Sequence, residues 1–420
     1  MDDTALASRQ AALEILTACL DKGQPLDDAL ARHEGFPELD PRDRAFVRLL
    51  LATTLRRLGE IDGVLTNLVE RDNPAARQIL RLGTAQLIFL GTPAHAAVDT
   101  SVRLIAPHLR GLANAVLRRV AREGVALLGD RDPARLNTPQ WLWDSWTASY
   151  GEDATRAIAA AHLVEAPLDL TPRADAMFWA GRLEGELLPT GTIRRTGGGH
   201  VAELPGFAEG AWWVQDAAAA LPVRLLGDIK DKRIADLCAA PGGKTLQLCA
   251  AGAQVTAVDV SQRRMVRLGE NLARLGFTAE LIASDAAKWT PAEKFDAILL
   301  DAPCSGTGTL RRHPDIAWLK DEEDVTRLTL TQDRLLAHAA DLLKPDGLLV
   351  YAVCSLQEDE GPARIASLMG RRPDLQRLPI AATELPGLEA AVTAEGDIRT
   401  LPSMGVDGFY ITRLKAGIGR

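Results

Sequence analysis

The chain has 420 residues, 47% of them hydrophobic and 25% charged, with a formal net charge of −8. That length exceeds one ordinary core and predicts two or three domains, while the composition is that of a globular protein and excludes a fibrous or wholly basic one. No basic stretch leads into an apolar run near the start and no segment has the length of a bilayer span, so a cytoplasmic protein with no membrane partner is expected.

Apolar residues recur at helical spacing over residues 5–20, 45–58, 75–90 and 112–128, with Pro and Gly between these stretches. The pattern predicts an all-helical domain over 1–130. Turn formers in the segment GDRDPARLNTP mark a boundary there. Residues 131–222, with the tryptophan-bearing WLWDSW and a helix near 154–161, read as a small connecting α/β subdomain. Beyond 223, short apolar runs at 233–238, 254–258, 279–282, 295–300 and 347–353 alternate with helical stretches at 261–275 and 325–343. This alternation predicts an α/β, Rossmann-like domain over 223–420 with a doubly wound, mostly parallel sheet.

Charge is unevenly placed. Residues 41–130 hold 13 arginines and no lysine against eight acids, whereas the first forty residues are acidic. Arg56, Arg57, Arg118 and Arg119, paired in Leu-Arg-Arg settings, are candidates for forked contacts to phosphates; solvated helix faces would carry the same residues.

The run DLCAAPGGKT places a strand, then Cys238, Ala239, Ala240, Pro241, Gly242 and Gly243, then a helix beginning near Lys244. Glycines let the backbone approach a ligand, and the helix start behind them favours an anion or carboxylate. A phosphate loop is excluded by Cys238, which stands where its first glycine should be. The next strand ends in Asp259, about twenty residues on, the spacing at which an acid reaches ribose hydroxyls. Asp285 ends the third strand. Either acid alone could be a helix cap, but with the glycine turn they favour an adenosyl ligand, and no G-x-G-x-x-G is present.

Five cysteines, Cys19, Cys238, Cys249, Cys304 and Cys354, include no C-x-x-C pair. Free thiols and no metal are expected. Cys19, Cys238 and Cys249 read as inert small hydrophobes. Cys304, in the turn DAPCSGTG after the fourth strand, and Cys354, at the end of the next apolar run, are different. A thiol at the carboxyl end of a parallel strand faces the crevice where such sheets bind ligands. A thiolate there can open a pyrimidine ring to attack, given a cation to depress its pKa; Lys244, Arg311, Arg312 and His313 are the candidates.

Taken in order, Pro205-Gly206-Phe207, Val214-Gln215-Asp216-Ala217, DLCAAPGGKT, Asp259, Asp285, DAPCSGTG with Arg311-Arg312-His313-Pro314-Asp315, Cys354-Ser355 with the acids 358–360, and Asp407-Gly408-Phe409 resemble the Sun/RsmB family of RNA cytosine-5 methyltransferases. The helical first third, with Arg42-Asp43-Arg44-Ala45-Phe46, resembles the NusB-like RNA-binding domain of the bacterial ribosomal branch. The resemblance implies S-adenosyl-L-methionine as cofactor, S-adenosyl-L-homocysteine as product, and RNA, in particular 16S rRNA, as partner of a monomeric enzyme. It implies Cys354 as nucleophile, Cys304 as the thiol that assists product release, and Asp301 as the group at the base edge with Lys244 orienting the base. Cofactor contacts would come from residues 238–244, Asp259, Asp285 and Asp301, and Arg44, Arg56, Arg57, Arg118, Arg119, Arg311 and Arg312 would bind RNA. Val353 and Ser403 depart from a usual Thr and a frequent His, and residues 171–175 replace an Arg-Val-Asn element. Alternative readings are a tRNA cytosine-5 methyltransferase and a non-catalytic NusB-type assembly factor. An amino-group methyltransferase would need an Asn-Pro-Pro-Tyr-like turn where Asp301-Ala302-Pro303-Cys304 stands, and a DNA cytosine methyltransferase would use Cys304 instead of Cys354.

Overall fold

The computed structural model describes residues 3–69, 73–197 and 200–417. It separates into two compact units, Met1–Glu165 with Leu310–Asp321, and Ala166–Thr309 with Glu322–Arg420. The boundaries expected at 130 and 222 thus fall inside units.

The first unit is helical. Its main helices are Asp3–Leu20, Leu26–Arg32, Pro41–Arg56, Leu58–Thr66, Pro74–Ile88, Ala94–Leu104 and Arg110–Glu123. Pro41 and Pro74 occupy first helical positions, where a missing N–H costs nothing, and the Asn73 side chain caps the second of these helices by accepting from the Ala75 N–H. Their apolar faces bury Leu16, Leu50, Leu51, Leu55, Ile61, Leu82 and Leu117 in one core. The periodicity read at 45–58 covers parts of two helices that break at Arg57.

The turn-rich segment near 130 does not end this unit, because side chains tie it back. Asn137 accepts from the Glu60 N–H at 3.1 Å and donates to the Glu60 carboxylate at 2.7 Å. Two further helices, Gln140–Tyr150 and Glu152–His162, follow and bury Leu142, Trp146 and Ile158. Residues 310–321, although they follow the fourth strand of the second unit in sequence, belong to the helical unit. Asp315 accepts from the Leu26 N–H at 2.9 Å, the Arg311 carbonyl accepts from Arg56 at 2.8 Å, and the Trp318 indole donates to the Leu55 carbonyl at 2.8 Å.

The second unit holds two sheets. A small antiparallel sheet contains β1 (Leu168–Pro172), β2 (Glu186–Leu187), β3 (Ile193–Arg195) and β4 (Trp212–Val214) in the order β2-β3-β1-β4. The buried Asp169 on β1 pairs through both oxygens with Arg194 on β3, at 2.8 and 2.7 Å. The larger sheet contains β5 (Arg233–Leu237), β6 (Gln254–Asp259), β7 (Glu280–Ala283), β8 (Phe295–Asp301), β9 (Leu343–Val353), β10 (Leu375–Arg377), β11 (Ile398–Thr400) and β12 (Phe409–Ala416). Its order is β10-β12-β9-β8-β5-β6-β7, with β11 on β12. The five strands β5 to β9 are parallel, as the sequence pattern predicts. The antiparallel edge of β10 to β12 has no counterpart in that pattern; these strands are short or follow irregular chain, so no strand-turn-helix rhythm announces them.

The chain reverses direction across the sheet between β5 and β8, so ligand-binding groups are expected at their carboxyl ends. Here the turn after β8 meets the start of β12. Gly408 N–H donates to the Gly308 carbonyl at 2.8 Å, and a Cβ on Gly308 would lie 1.9 Å from the Gly408 carbonyl oxygen. Because the clash is with backbone, Gly308→Ala should destabilise the protein by about 1–3 kcal/mol, read as a lower urea midpoint at unchanged m-value; an unchanged midpoint would refute this close approach.

Candidate active site

The carboxyl ends of β5 to β9 carry the groups singled out in the sequence. After β5, Cys238 takes a left-handed φ of 63° and Gly242 one of 111°, turning the chain back into the helix Gly243–Ala250. Gly242 is required twice over, since a Cβ there would also meet the Leu268 side chain at 2.1 Å. At Gly243 a Cβ would clash with nothing, coming only into ordinary contact with the Gln215 side chain at 3.8 Å.

Asp259, at the end of β6, is buried. One oxygen accepts from the Ser261 N–H at 2.8 Å and from Arg264 at 2.9 Å; the other accepts from the Ala240 N–H at 3.2 Å. Three bonds leave one of a carboxylate's four acceptor positions for a hydroxyl. Asp285 accepts from the Ala287 N–H at 3.0 Å and lies at the mouth of the next turn. Open backbone after β5 and acceptors after β6 and β7 fit an adenosyl group with its ribose.

Across the switch point, the Lys244 ammonium donates to Asp301 at 2.6 Å. Burial works against the charge on Lys244, but Asp301, Cys354 and Asp236 outweigh it and hold its pKa above the usual value. The ammonium also lies 5.3 Å from the centre of the Phe409 ring on β12. Beneath them, the fully buried Asp236 accepts from the Thr245 hydroxyl at 2.5 Å, and its other oxygen has no partner among the described residues. Burial is the main cause that pushes its carboxyl up to about 7, opposed by the Thr245 bond.

The two thiols come together. Parallel pairing aligns Asp301 on β8 with Ala352 on β9, and the turns that follow bring Cys304 and Cys354 to an Sγ to Sγ distance of 3.5 Å. The hydrogen bond to Cys354, followed by burial and the charges of Cys354 and Glu360, raises the Cys304 thiol well above its ordinary range. These effects oppose loss of the Cys304 proton, and either sulfur can donate across the 3.5 Å contact. Of the other cysteines, Cys19 and Cys249 are each pushed up to about 12 by burial first, and Cys238 higher still, so all three stay protonated.

A buried carboxylate that the sequence reading left without a part joins the two turns. Glu360 accepts from the Ser305 N–H at 2.8 Å and Gln332 at 3.0 Å on one oxygen, and from the Ser305 and Ser355 hydroxyls, each at 2.5 Å, on the other. Only its place among the trailing acids 358–360 hinted at it. Other motif residues brace the same edge. Asp216 accepts from the Asp407 N–H at 3.2 Å, and Gln215 accepts from Thr171 at 2.8 Å and from Trp213 at 2.9 Å.

Residues 223–415 match the model of the 16S rRNA methyltransferase RsmB/F family, and residues 6–122 match that of the NusB family. Ribosomal RNA small subunit methyltransferase B of Klebsiella pneumoniae is 33% identical over 97% of both chains. The protein of that name from Vibrio cholerae is 35% identical over 96% of both. The chain belongs to the ribosomal RNA small subunit methyltransferase B family. Its fold is shared with the crystal structure of PH0851, at a TM-score of 0.76 and 22% identity over 99% of each chain.

The arginines proposed for RNA are placed unevenly in this family member. Arg118 and Arg119 are exposed; Arg44, Arg56, Arg57 and Arg312 are half-buried. Arg44 donates to the Pro37 and Leu39 carbonyls, and Arg57 to Glu60. Arg311 is buried within the helical unit, where it offers no surface fork to a phosphate. Arg311, Arg312 and His313 all pack in that unit; Lys244, beside the sheet, is held charged in part by Cys354.

The raised Asp236 pKa has a stability consequence. The folded state holds a proton that the unfolded chain releases from about pH 4, so stability falls as pH rises towards about 7, where the folded carboxyl titrates. Asp236→Asn should flatten urea midpoints measured across this window, and an undiminished slope would refute the assignment.

Proposed function

We propose that this chain transfers a methyl group from S-adenosyl-L-methionine to C5 of a cytosine in 16S rRNA, through a covalent bond between Cys354 and C6. The observation that carries this reading is the pair of thiols 3.5 Å apart on adjacent strand ends, one of them held protonated. Membership of a family whose relatives are ribosomal RNA small subunit methyltransferases supports 16S rRNA over tRNA. An intact set of Cys304, Cys354, Asp301, Lys244 and the glycine turn weighs against a non-catalytic assembly factor.

Cytosine C5 is a poor nucleophile until C6 carries a covalent partner. The Cys354 thiolate adds at C6, and N3, where the electron density collects, takes up a proton from Asp301 at the base edge, a proton that the Lys244 ammonium at 2.6 Å replaces. S-adenosyl-L-methionine, when bound, supplies an electrophilic methyl group. Residues 238–244, Asp259, Asp285 and Asp301 would hold it. Loss of the C5 proton to a base and expulsion of Cys354 restore the ring, with the Cys304 thiol assisting release. Both faces of the ring must be reached, so the target is unpaired or extruded. Residues 1–130 would hold the surrounding RNA through exposed arginines such as Arg118 and Arg119, giving salt-sensitive affinity. The ribosomal substrate supports a cytoplasmic location, and the supply of all named groups by one chain supports action as a monomer.

With rRNA and methyl donor, Cys354→Ala should lose turnover and form no adduct, while Cys304→Ala should accumulate a protein-RNA adduct that survives denaturing gels. Turnover by Cys354→Ala, or an adduct formed through Cys304, would overturn the assignment. Bisulfite sequencing of total RNA from a deletion strain should show one cytosine of 16S rRNA losing its methyl group; loss in tRNA instead would move the substrate.

A further inference from the structure

We propose that Glu360 is a positioning residue that fixes the turns bearing Cys304 and Cys354 in reacting register and makes the two thiols chemically unequal. The inference rests on the cytosine-5 reading above and assigns the thiol pair a controlling group.

Each cysteine is followed directly by a serine, and both serine hydroxyls end on the same carboxylate oxygen at 2.5 Å. One side chain thus sets the spacing of both turns. Further bonds stiffen the junction without replacing it. The Thr307 hydroxyl accepts from the Leu356 N–H at 3.0 Å, the Gly308 N–H donates to the Cys354 carbonyl at 3.0 Å, and Arg399 donates to the Ser355 carbonyl at 2.6 Å. Gln332 reaches from the helix Glu322–Asp341 to both Glu360 and the Pro303 carbonyl, at 3.0 and 2.9 Å.

Glu360 is fully buried, and all four hydrogen bonds described for it come from neutral donors. A buried charge is costly, and a neutral bridge could hold two turns together equally well. A retained carboxylate points to a use for the charge itself. Its field acts on Cys304, where it opposes loss of the proton. The carboxylate also takes the backbone N–H of Ser305, directly after Cys304, at 2.8 Å and takes no backbone N–H after Cys354 among the bonds described, so its charge bears on Cys304 first.

Glu360→Gln tests this in the full chain, because the amide keeps the size and the serine hydroxyls can turn to accept from it. Turnover on rRNA should fall about tenfold to a hundredfold, with KM for RNA and calorimetric affinity for S-adenosyl-L-methionine within about twofold of wild type. Without RNA or methyl donor, the ratio of iodoacetamide labelling at Cys354 to that at Cys304, read by mass spectrometry, should fall about tenfold. An unchanged labelling ratio, turnover within about twofold, or an equal loss of methyl-donor affinity would each overturn the proposal. Should Glu360→Gln not fold, Ser305→Ala and Ser355→Ala each remove one donor to the same oxygen. Both should lower turnover while the labelling ratio, set by the charge they leave in place, stays within about twofold of wild type; unchanged turnover in both, or a fall of about tenfold in the ratio in either, would overturn it. Failure of the cytosine reading would appear differently, as turnover by Cys354→Ala while the labelling ratio still responds to Glu360.

Discussion

The pairing of β8 with β9 is the constraint on which the site depends. Parallel strands in register deliver Asp301 and Ala352 side by side, and each is followed within a few residues by a cysteine. Two sulfurs then lie 3.5 Å apart without a covalent bond, close enough to share a proton. A slip of one residue would turn one thiol to the opposite face of the sheet. Register is secured by burial on both faces, where Leu299, Leu300, Val350 and Tyr351 pack into two cores.

Several of the long motifs brace the edge that carries the site. Gln215 ties the small sheet to the helix behind the glycine turn, Asp216 holds the Asp407 N–H just ahead of β12, and Gly308 and Gly408 pass backbone against backbone. Phe409, at the start of β12, presents its ring to Lys244. An active edge built from five strand ends needs such cross-links because each turn alone has few neighbours. The antiparallel strands β10 to β12 extend the sheet beyond β9 and cover what would otherwise be an open edge next to Cys354.

The segment 310–321 shows how a motif's place in the chain can mislead. It follows the Cys304 turn directly and is rich in charge, which makes its arginines attractive both for RNA and for activating a thiol. Its backbone and side chains are instead spent inside the helical unit, through Arg311, Asp315 and Trp318. Sequence adjacency to a reactive residue says nothing about which core a segment joins when the chain can leave one unit and return.

The sequence by itself determined the helical start, the parallel strands β5 to β9, the glycine turn and the two cysteines at the strand ends. Each is written in local terms: apolar period, the need for Gly at positive φ, and sulfur in a Pro/Gly-rich turn at a strand end. The tertiary structure alone decided that the thiols meet, that Lys244 reaches Asp301, that Glu360 joins the two cysteine turns, and that residues 131–165 stay with the helical unit. Those facts depend on contacts between residues separated by tens of positions, set by strand register and by side-chain bonds such as Asn137 to Glu60, and no periodicity in the chain encodes them.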